Sequence, residues 1–229
     1  MSSQSRGVLD RGMQSIQDDL LRLAGMVEKA IEGAVRAMVG LDEVLARQIA
    51  ADDADVNALR FKIEEACLAL IATQQPAAGD LRAIVAAMNI VSGLERMGDH
   101  AAGIARTVFN IAGPWSLEPL TGFPRMAELT RDMLRRAMRA YVDRDAAKAH
   151  KAAGDDDRID DLYLQVFGEL VSVMIEDPAK TSQSLKLLFA AHKLERIGDR
   201  ITNIAERVVF MASGEMQELN PEPGETRLL

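Results

Sequence analysis

The sequence predicts an all-α protein made of two similar three-helix bundles, and three observations lead to this fold class. First, the 229 residues are 48% hydrophobic and 27% charged but only 4% aromatic, a composition that favours helices over strands. Second, apolar residues recur at i, i+3, i+4 and i+7 through long stretches, which is the period of an amphipathic helix. Third, LERMGD at residues 94–99 returns as LERIGD at residues 194–199, which indicates an internal duplication.

Helix breakers divide the chain into six long helical segments. Pro76 and Pro178 are sharp stops, because the residue before a proline avoids the α-helical region. Asp42 and Asp145 are expected to head the second and fifth helices, and Asp80 either caps the third helix or belongs to a partner surface. The predicted helices lie near residues 9–39, 42–74, 79–112, 124–142, 145–176 and 181–213.

The two halves define the expected domains. The first three-helix repeat spans 9–112 and the second spans 124–213, with a proline-rich linker at 113–123 and a C-terminal tail at 214–229. Each repeat would run up, down and up, and a pseudo-twofold axis would relate the two bundles. A single six-helix bundle is the alternative arrangement.

Charge and cysteine content restrict the partners and the compartment. The net charge of −8 disfavours nucleic acid and anionic lipid as partners. A single cysteine, Cys67, excludes an internal disulfide framework and is consistent with a reducing compartment. Asp10, Asp18 and Asp19 interrupt the N-terminal segment where a secretory signal needs an apolar run. No stretch approaches the roughly 18 apolar residues of a membrane span, so we expect a cytoplasmic protein without membrane insertion.

The repeated phrase places two carboxylates one helical turn apart in each half, Glu95 with Asp99 and Glu195 with Asp199. Side chains at i and i+4 are neighbours, roughly 5–6 Å apart at Cβ, so each pair is repulsive. The glycine between the two acids costs up to about 1 kcal/mol more than alanine in a helix. Because the carboxylate repulsion and the glycine cost both occur twice in the same register, we infer that another interaction offsets them. The glycine would admit a neighbouring helix, and a bound cation would be shared by the acids.

Companion residues with the same i, i+4 spacing lie on the preceding helices, Asp53 with Asn57 and Asp156 with Asp160. In an antiparallel hairpin each pair would reach a height similar to that of the acids in the repeated phrase. Carboxylate-only sites suit hard or borderline ions, whereas zinc sites usually recruit His or Cys. We therefore predict divalent or ferric ions (Fe, Mn, Mg or Zn) without fixing their identity. The alternative is an acidic face salt-bridged by arginines of the repeated phrase.

Four segments together resemble the PhoU family of bacterial phosphate-uptake regulators: QPAAGDLRAIVAAMN (75–89), LERMGDHAAGIA (94–105), DDDRIDDLY (155–163) and LERIGDRITNIAE (194–206). The resemblance covers nearly the whole chain. It implies two pseudo-twofold three-helix bundles that hold metal ions or clusters at E/D-x-x-x-D pairs. It further implies a cytosolic, non-catalytic regulator that damps phosphate-starvation signalling, with a sensor histidine kinase and the phosphate transporter ATPase as partners. We also expect a homodimer.

The sequence departs from the family pattern in the first half. Asn57 stands where an acid is expected, and Gly103 and Arg106 replace the Asn203 and Glu206 of the second half. The second site is therefore predicted to be the stronger one. Its expected ligands are Glu195, Asp199, Asp156, Asp160 and Asn203, and those of the first site are Glu95, Asp99, Asp53 and Asn57.

Two functional hypotheses share these residues. The first is a metal-binding negative regulator of phosphate uptake that acts by protein–protein contact. The second is an iron- or manganese-buffering carboxylate protein, which would take up many ions reversibly. An enzyme is not expected, because the sequence contains neither a nucleotide-binding glycine motif nor a nucleophile with an adjacent base.

Overall fold

The structure, a computed structural model, describes residues 3–110 and 122–219. Within these ranges the chain is entirely α-helical in class and contains no strand, which confirms the predicted fold class. Seven α-helices are present there: α1 (Ser3–Gly40), α2 (Glu43–Gln74), α3 (Ala78–Thr107), α4 (Gly122–Asp143), α5 (Ala146–Ala153), α6 (Asp156–Glu176) and α7 (Thr181–Ser213). Short 3-10 helices cover Val108–Asn110 and Pro178–Lys180. None of the described helices combines the length and hydropathy that a membrane crossing requires.

Two of the predicted helix starts are set by aspartate caps. The Asp42 carboxylate accepts a 3.0 Å hydrogen bond from the Leu45 amide, and the Asp145 carboxylate accepts a 3.0 Å bond from the Lys148 amide. Each bond satisfies an amide that has no partner within its own helix. The prediction that these aspartates head α2 and α5 is confirmed.

The segment 145–176, predicted as one helix, is two helices in the structure. Helix α5 ends at Ala153, and Gly154 closes it by donating its amide to the His150 carbonyl at 3.1 Å. Helix α6 begins again at Asp156. The cause is local, since glycine weakens a helix interior and an aspartate favours the positive N-terminal end of a new one. Periodicity alone did not reveal this break because the apolar pattern continues through it.

The predicted cap at Asp80 is wrong. Ala77 occupies the N-cap position of α3 without a side-chain bond, and Asp80 lies in the first turn. The Asp80 carboxylate instead accepts a 2.6 Å hydrogen bond from the Arg6 guanidinium. This contact ties the start of α3 to α1.

The helices pack as two groups that share one hydrophobic core. Helices α1, α2 and α3 pack together, and α4 packs with α5, α6 and α7. The groups meet along α3 and α7, with a second contact between α1 and α4 where Arg131 lies 3.1 Å from Glu28 and 3.0 Å from Glu32. The core runs continuously through both groups. The division of the chain into separate domains at 9–112 and 124–213 therefore remains a prediction.

Most of the predicted linker 113–123 lies outside the described residues, but Gly122 and Phe123, placed in it, belong to α4. Phe123 is fully buried and fills the core of the second group. Of the predicted tail, only residues 214–219 are described, and α7 ends at Ser213 as expected.

Two glycines define how α3 and α7 cross. A Cβ atom at Gly93 would lie 3.7 Å from Cγ1 of Ile204, and one at Gly103 would lie 2.9 Å from Nζ of Lys193. Because an earlier residue of α3 meets a later residue of α7, the two helices run antiparallel. The two copies of the repeated phrase consequently lie side by side at the centre of the molecule.

Candidate metal centres

The acids predicted for the second site come together between α6 and α7. The pKa of Asp160 is raised to about 6, first by burial and then by the charges of Asp156, Glu195 and Asp199, in that order. A carboxyl group is affected in this way only by neighbours within a short distance. The folded chain thus concentrates four carboxylates at the position that the spacing predicted.

Gly198 makes the approach of the two helices possible. A Cβ atom at this position would stand 2.6 Å from Oδ1 of Asp156 and 3.3 Å from Cδ1 of Ile159. The Asp156 side chain is only 2% exposed and accepts a 2.8 Å hydrogen bond from the Thr202 hydroxyl. No side chain fits between the Asp156 carboxylate and the α7 backbone, so the glycine of the repeated phrase has the packing role that the sequence indicated.

A similar but weaker cluster lies between α2 and α3. Burial raises the pKa of Asp53, the charges of Asp99 and Glu95 raise it too, and the charge of Arg106 opposes them. The Oδ1 atom of Asp53 is buried and has no hydrogen-bond partner. Here the glycine is less crowded, since a Cβ at Gly98 would lie 3.6 Å from that oxygen.

Arginines neutralise part of the first cluster. The Arg60 guanidinium lies 2.9 Å from Glu95 and 3.0 Å from Glu64, and Arg106 lies 3.8 Å from Asp53. In the second half, Tyr163 and Glu206 stand at the equivalent positions of the repeat. The second cluster therefore lacks both compensating arginines.

Other partners engage the acids of the second cluster. Asp199 lies 3.1 Å from the Arg196 guanidinium, and Glu195 lies 3.1 Å from Nδ1 of His192. The Arg196–Asp199 pair is on the surface of α7, where an ion pair contributes little to stability, and the His192 contact is an ion pair only when the imidazole is protonated. They leave the acids available to a stronger ligand.

The two asparagines predicted as ligands bond to the backbone. The Asn57 side-chain amide donates to the Asp53 carbonyl at 3.1 Å, and the Asn203 amide donates to the Asp199 carbonyl at 2.6 Å. Each bond uses the amide nitrogen. The side-chain carbonyl oxygen, which is the atom that binds hard cations, is not used by these bonds.

The donor set fits a hard cation, although the described side chains do not form a closed site. Among the described residues, no group of three or more His, Cys, Asp or Glu has an arrangement that could hold a metal ion. A polar cavity of about 460 Å³ nevertheless borders the second cluster, and its lining mixes acids and an asparagine with three arginines: Asp156, Asp199, Glu206, Asn203, Arg196, Arg200 and Arg207. Binding would require Asp199 to exchange its contact with Arg196 for the ion, and the predicted ligand sets stay predictions.

Three side chains that shape these clusters were not singled out as site residues from the sequence: Arg60, Tyr163 and Thr202. Arg60 and Tyr163 occupy the same position in the two halves. Their difference in charge is seen only when the second helix of each half is aligned, and the two halves are less alike there than in the repeated phrase. Thr202 faces Asp156 because α6 begins at that aspartate. That contact depends on the helix break, which the sequence pattern did not show.

Known proteins of the same length and fold match this chain. The family model for the PhoU domain matches residues 20–108 and 123–208. The chain is 35% identical over 217 residues to the phosphate-specific transport system accessory protein PhoU homolog of Clostridium acetobutylicum, covering 94% of this chain and 99% of the relative. It is 36% identical over 206 residues to the homolog of Zymomonas mobilis, covering 90% and 87%.

Two crystal structures have the same fold over nearly the whole chain. The structure of PhoU from Pseudomonas aeruginosa has a TM-score of 0.83 at 33% identity and covers 90% of this chain and 99% of its own. The phosphate transport system regulatory protein PhoU from Streptococcus pneumoniae also has a TM-score of 0.83, at 31% identity, and covers 92% and 100%.

The packing at Gly198 leads to a paired mutational prediction. Gly198→Ala should lower the free energy of unfolding by about 1–3 kcal/mol, because the new methyl group displaces a buried carboxylate. Gly98→Ala is the matched control: its Cβ would lie 3.1 Å from Cγ1 of Val56, and the helix propensity of alanine offsets that crowding to within about 0.5 kcal/mol. Urea unfolding followed by circular dichroism measures both, and equal effects would contradict the close-approach argument.

The pKa of Asp160 leads to a prediction about pH. Its folded value of about 6 lies above the ordinary 3.8, so ionisation of Asp160 destabilises the fold. The stability is fully present below pH 3.8 and is lost as pH rises through about 6. In chelator-treated protein, Asp160→Asn should raise the unfolding free energy at pH 7 by about 1 kcal/mol after allowance for solvent screening. At pH 4 it should have almost no effect, and the exposed Asp161→Asn should have none at either pH.

Proposed function

This chain belongs to the PhoU family, and we propose on that premise that it is an accessory regulator of a phosphate transport system. In this role it restrains phosphate uptake and phosphate-starvation signalling. The observation that carries the proposal is the match of both halves of the chain to the PhoU domain, at 20–108 and 123–208. The relatives in C. acetobutylicum and Z. mobilis are accessory proteins of phosphate-specific transport, and the S. pneumoniae protein is a regulatory one.

The regulation acts through protein contacts in the cytoplasm rather than through turnover. Its partners are a sensor histidine kinase and the ATPase of the phosphate transporter, and the protein works as a homodimer. Large apolar side chains on the outer faces of α6 and α7 support such contacts, since Leu164 is 63% exposed and Phe189 is 64% exposed. Exposed apolar side chains are typical of interaction surfaces where they form a contiguous patch.

The two acidic clusters hold metal ions in this proposal. A bound cation supplies positive charge that allows neighbouring carboxylates to stay ionised together. On the second cluster the ligands are Asp156, Asp160, Glu195, Asp199 and Asn203, and on the first they are Asp53, Glu95, Asp99 and Asn57. The buried Asp53 oxygen without a hydrogen-bond partner and the raised pKa of Asp160 support this assignment.

The side chains of this protein favour the second cluster. Arg60 and Arg106 already compensate the acids of the first cluster, so a cation gains less there. In the second cluster Thr202 holds the Asp156 carboxylate in one orientation, with its Oδ2 atom accepting the hydroxyl proton. A side chain that is already held in one orientation loses less conformational entropy when it binds a metal ion.

Metal content tests the ligand assignment. Protein purified without added metal should carry divalent or ferric ions, and Glu195→Gln with Asp199→Asn should remove most of them. The equivalent pair in the first half, Glu95→Gln with Asp99→Asn, should remove fewer because that site has less net negative charge. Elemental analysis by mass spectrometry measures both.

The matched control is Glu65→Gln with Asp161→Asn, which removes the same charge from exposed positions and should leave metal content unchanged. Unchanged metal in the Glu195 and Asp199 variant would show that the ligands are wrong. Uptake of many ions per chain, released reversibly, would favour the metal-buffering function instead.

The regulatory role is tested in the host. Deletion of the protein should raise transcription of phosphate-starvation genes even when phosphate is plentiful, because a restraint on signalling is lost. A transcriptional reporter measured at high phosphate in deletion and parent strains gives the answer. An unaltered reporter, with the protein shown to be expressed in the parent, would contradict the proposal.

A further inference from the structure

A positively charged cleft lies between α3 and α7, on the central contact of the two halves. Its volume is about 270 Å³. Three arginines, two asparagines and a serine supply its polar lining: Arg96, Arg200, Arg207, Asn89, Asn203 and Ser92. Among the described residues no carboxylate lines it. We refer to this feature as the α3–α7 cleft.

The arginines of the α3–α7 cleft are poorly compensated. Nε of Arg200 is buried and has no hydrogen-bond partner. Within the described parts of the chain, neither Arg96 nor Arg200 forms a salt bridge, whereas Arg207 lies 3.5 Å from Glu206. Arg200 and Arg207 are half-buried and Arg96 is exposed. Within the described chain, a cavity lined by three guanidinium groups and no carboxylate is unusual for a protein with a net charge of −8.

Guanidinium groups from both helices line the same cavity. Arg96 comes from α3, whereas Arg200 and Arg207 come from α7. Like charges that share a cavity repel one another, and a bound anion would relieve that repulsion.

The nearby acids line a neighbouring cavity rather than the cleft itself. Asp156, Asp199 and Glu206 border the polar cavity of the second cluster, which shares Arg200, Arg207 and Asn203 with the α3–α7 cleft. Asp199 lies 3.1 Å from Arg196. Among the described residues these acids form no salt bridge with Arg96 or Arg200, so an ion from solution can bind between the two guanidinium groups.

We propose that the α3–α7 cleft binds a small multivalent oxyanion of the phosphate and sulfate class, held by Arg96 and Arg200. The planar guanidinium fork matches two oxygens of such an ion. The cavity of about 270 Å³ has room for an ion of this size together with water. This inference rests on the lining of the cleft alone and does not depend on the regulatory function proposed above.

Calorimetric titration of the full chain tests the proposal. The protein is first treated with chelator, so that an anion cannot bind through a metal ion. Inorganic phosphate and sulfate are the probes at pH 8 and constant ionic strength, with chloride as the reference. Saturable binding of one or both oxyanions is expected, about tenfold or more weaker in Arg200→Gln and in Arg96→Gln. Arg200→Lys keeps the charge without the fork and should fall between wild type and Arg200→Gln.

Arg47→Gln is the matched control, because it removes one arginine from an exposed position where Glu43 is the partner at 3.3 Å. It should bind the oxyanion as wild type does. The variants in the cleft should also keep their melting temperature in chloride, since they relieve repulsion. No saturable binding, or an equal loss of affinity in Arg47→Gln, would overturn the proposal. Binding of phosphate alone, without sulfate, would also support it.

Discussion

The close approach of Asp156 to the α7 backbone at Gly198 is the constraint on which the second acidic cluster depends. Without a side chain at that glycine, α6 can place a buried carboxylate against the two acids of the repeated phrase. Carboxylates that share a desolvated site repel one another, and the repulsion can be removed by protonation, by an arginine or by a cation. In the first half Arg60 and Arg106 lie against the acids. In the second half those two positions carry no arginine, and Arg196 contacts only Asp199 among the described acids of the cluster.

The repeated phrase places its acidic and its basic side chains on different sides of one helix. Glu95 and Asp99 face α2, and the next residue along from each, Arg96 and His100, belongs to the side that meets α7. Because α7 carries the same phrase and runs antiparallel to α3, the basic sides of the two copies meet at the centre. Duplication of one short segment thus yields two outer acidic clusters and one inner basic cleft.

The sequence was sufficient for the features that depend on local pattern. The helical period, the aspartate caps at Asp42 and Asp145 and the convergence of the paired acids follow from spacing along one helix or across one hairpin. The break at Gly154 and the positions of the Arg60 and Arg200 side chains do not follow from such spacing. Long arginine side chains reach across helices, so their partners depend on the crossing register of α2, α3 and α7, and no single-helix periodicity contains that information.

Asp199 and Arg196 lie where the two kinds of cluster meet. Their 3.1 Å contact borders the polar cavity that Asp156, Arg200 and Arg207 also line. Under the two binding proposals, a cation that displaced Arg196 from Asp199 would leave the charge of Arg196 to act near Arg200. The positive potential at the α3–α7 cleft would then increase, and an anion would bind there more tightly. By thermodynamic linkage the anion would favour the cation to the same extent, because a coupling free energy between two sites is the same in both directions.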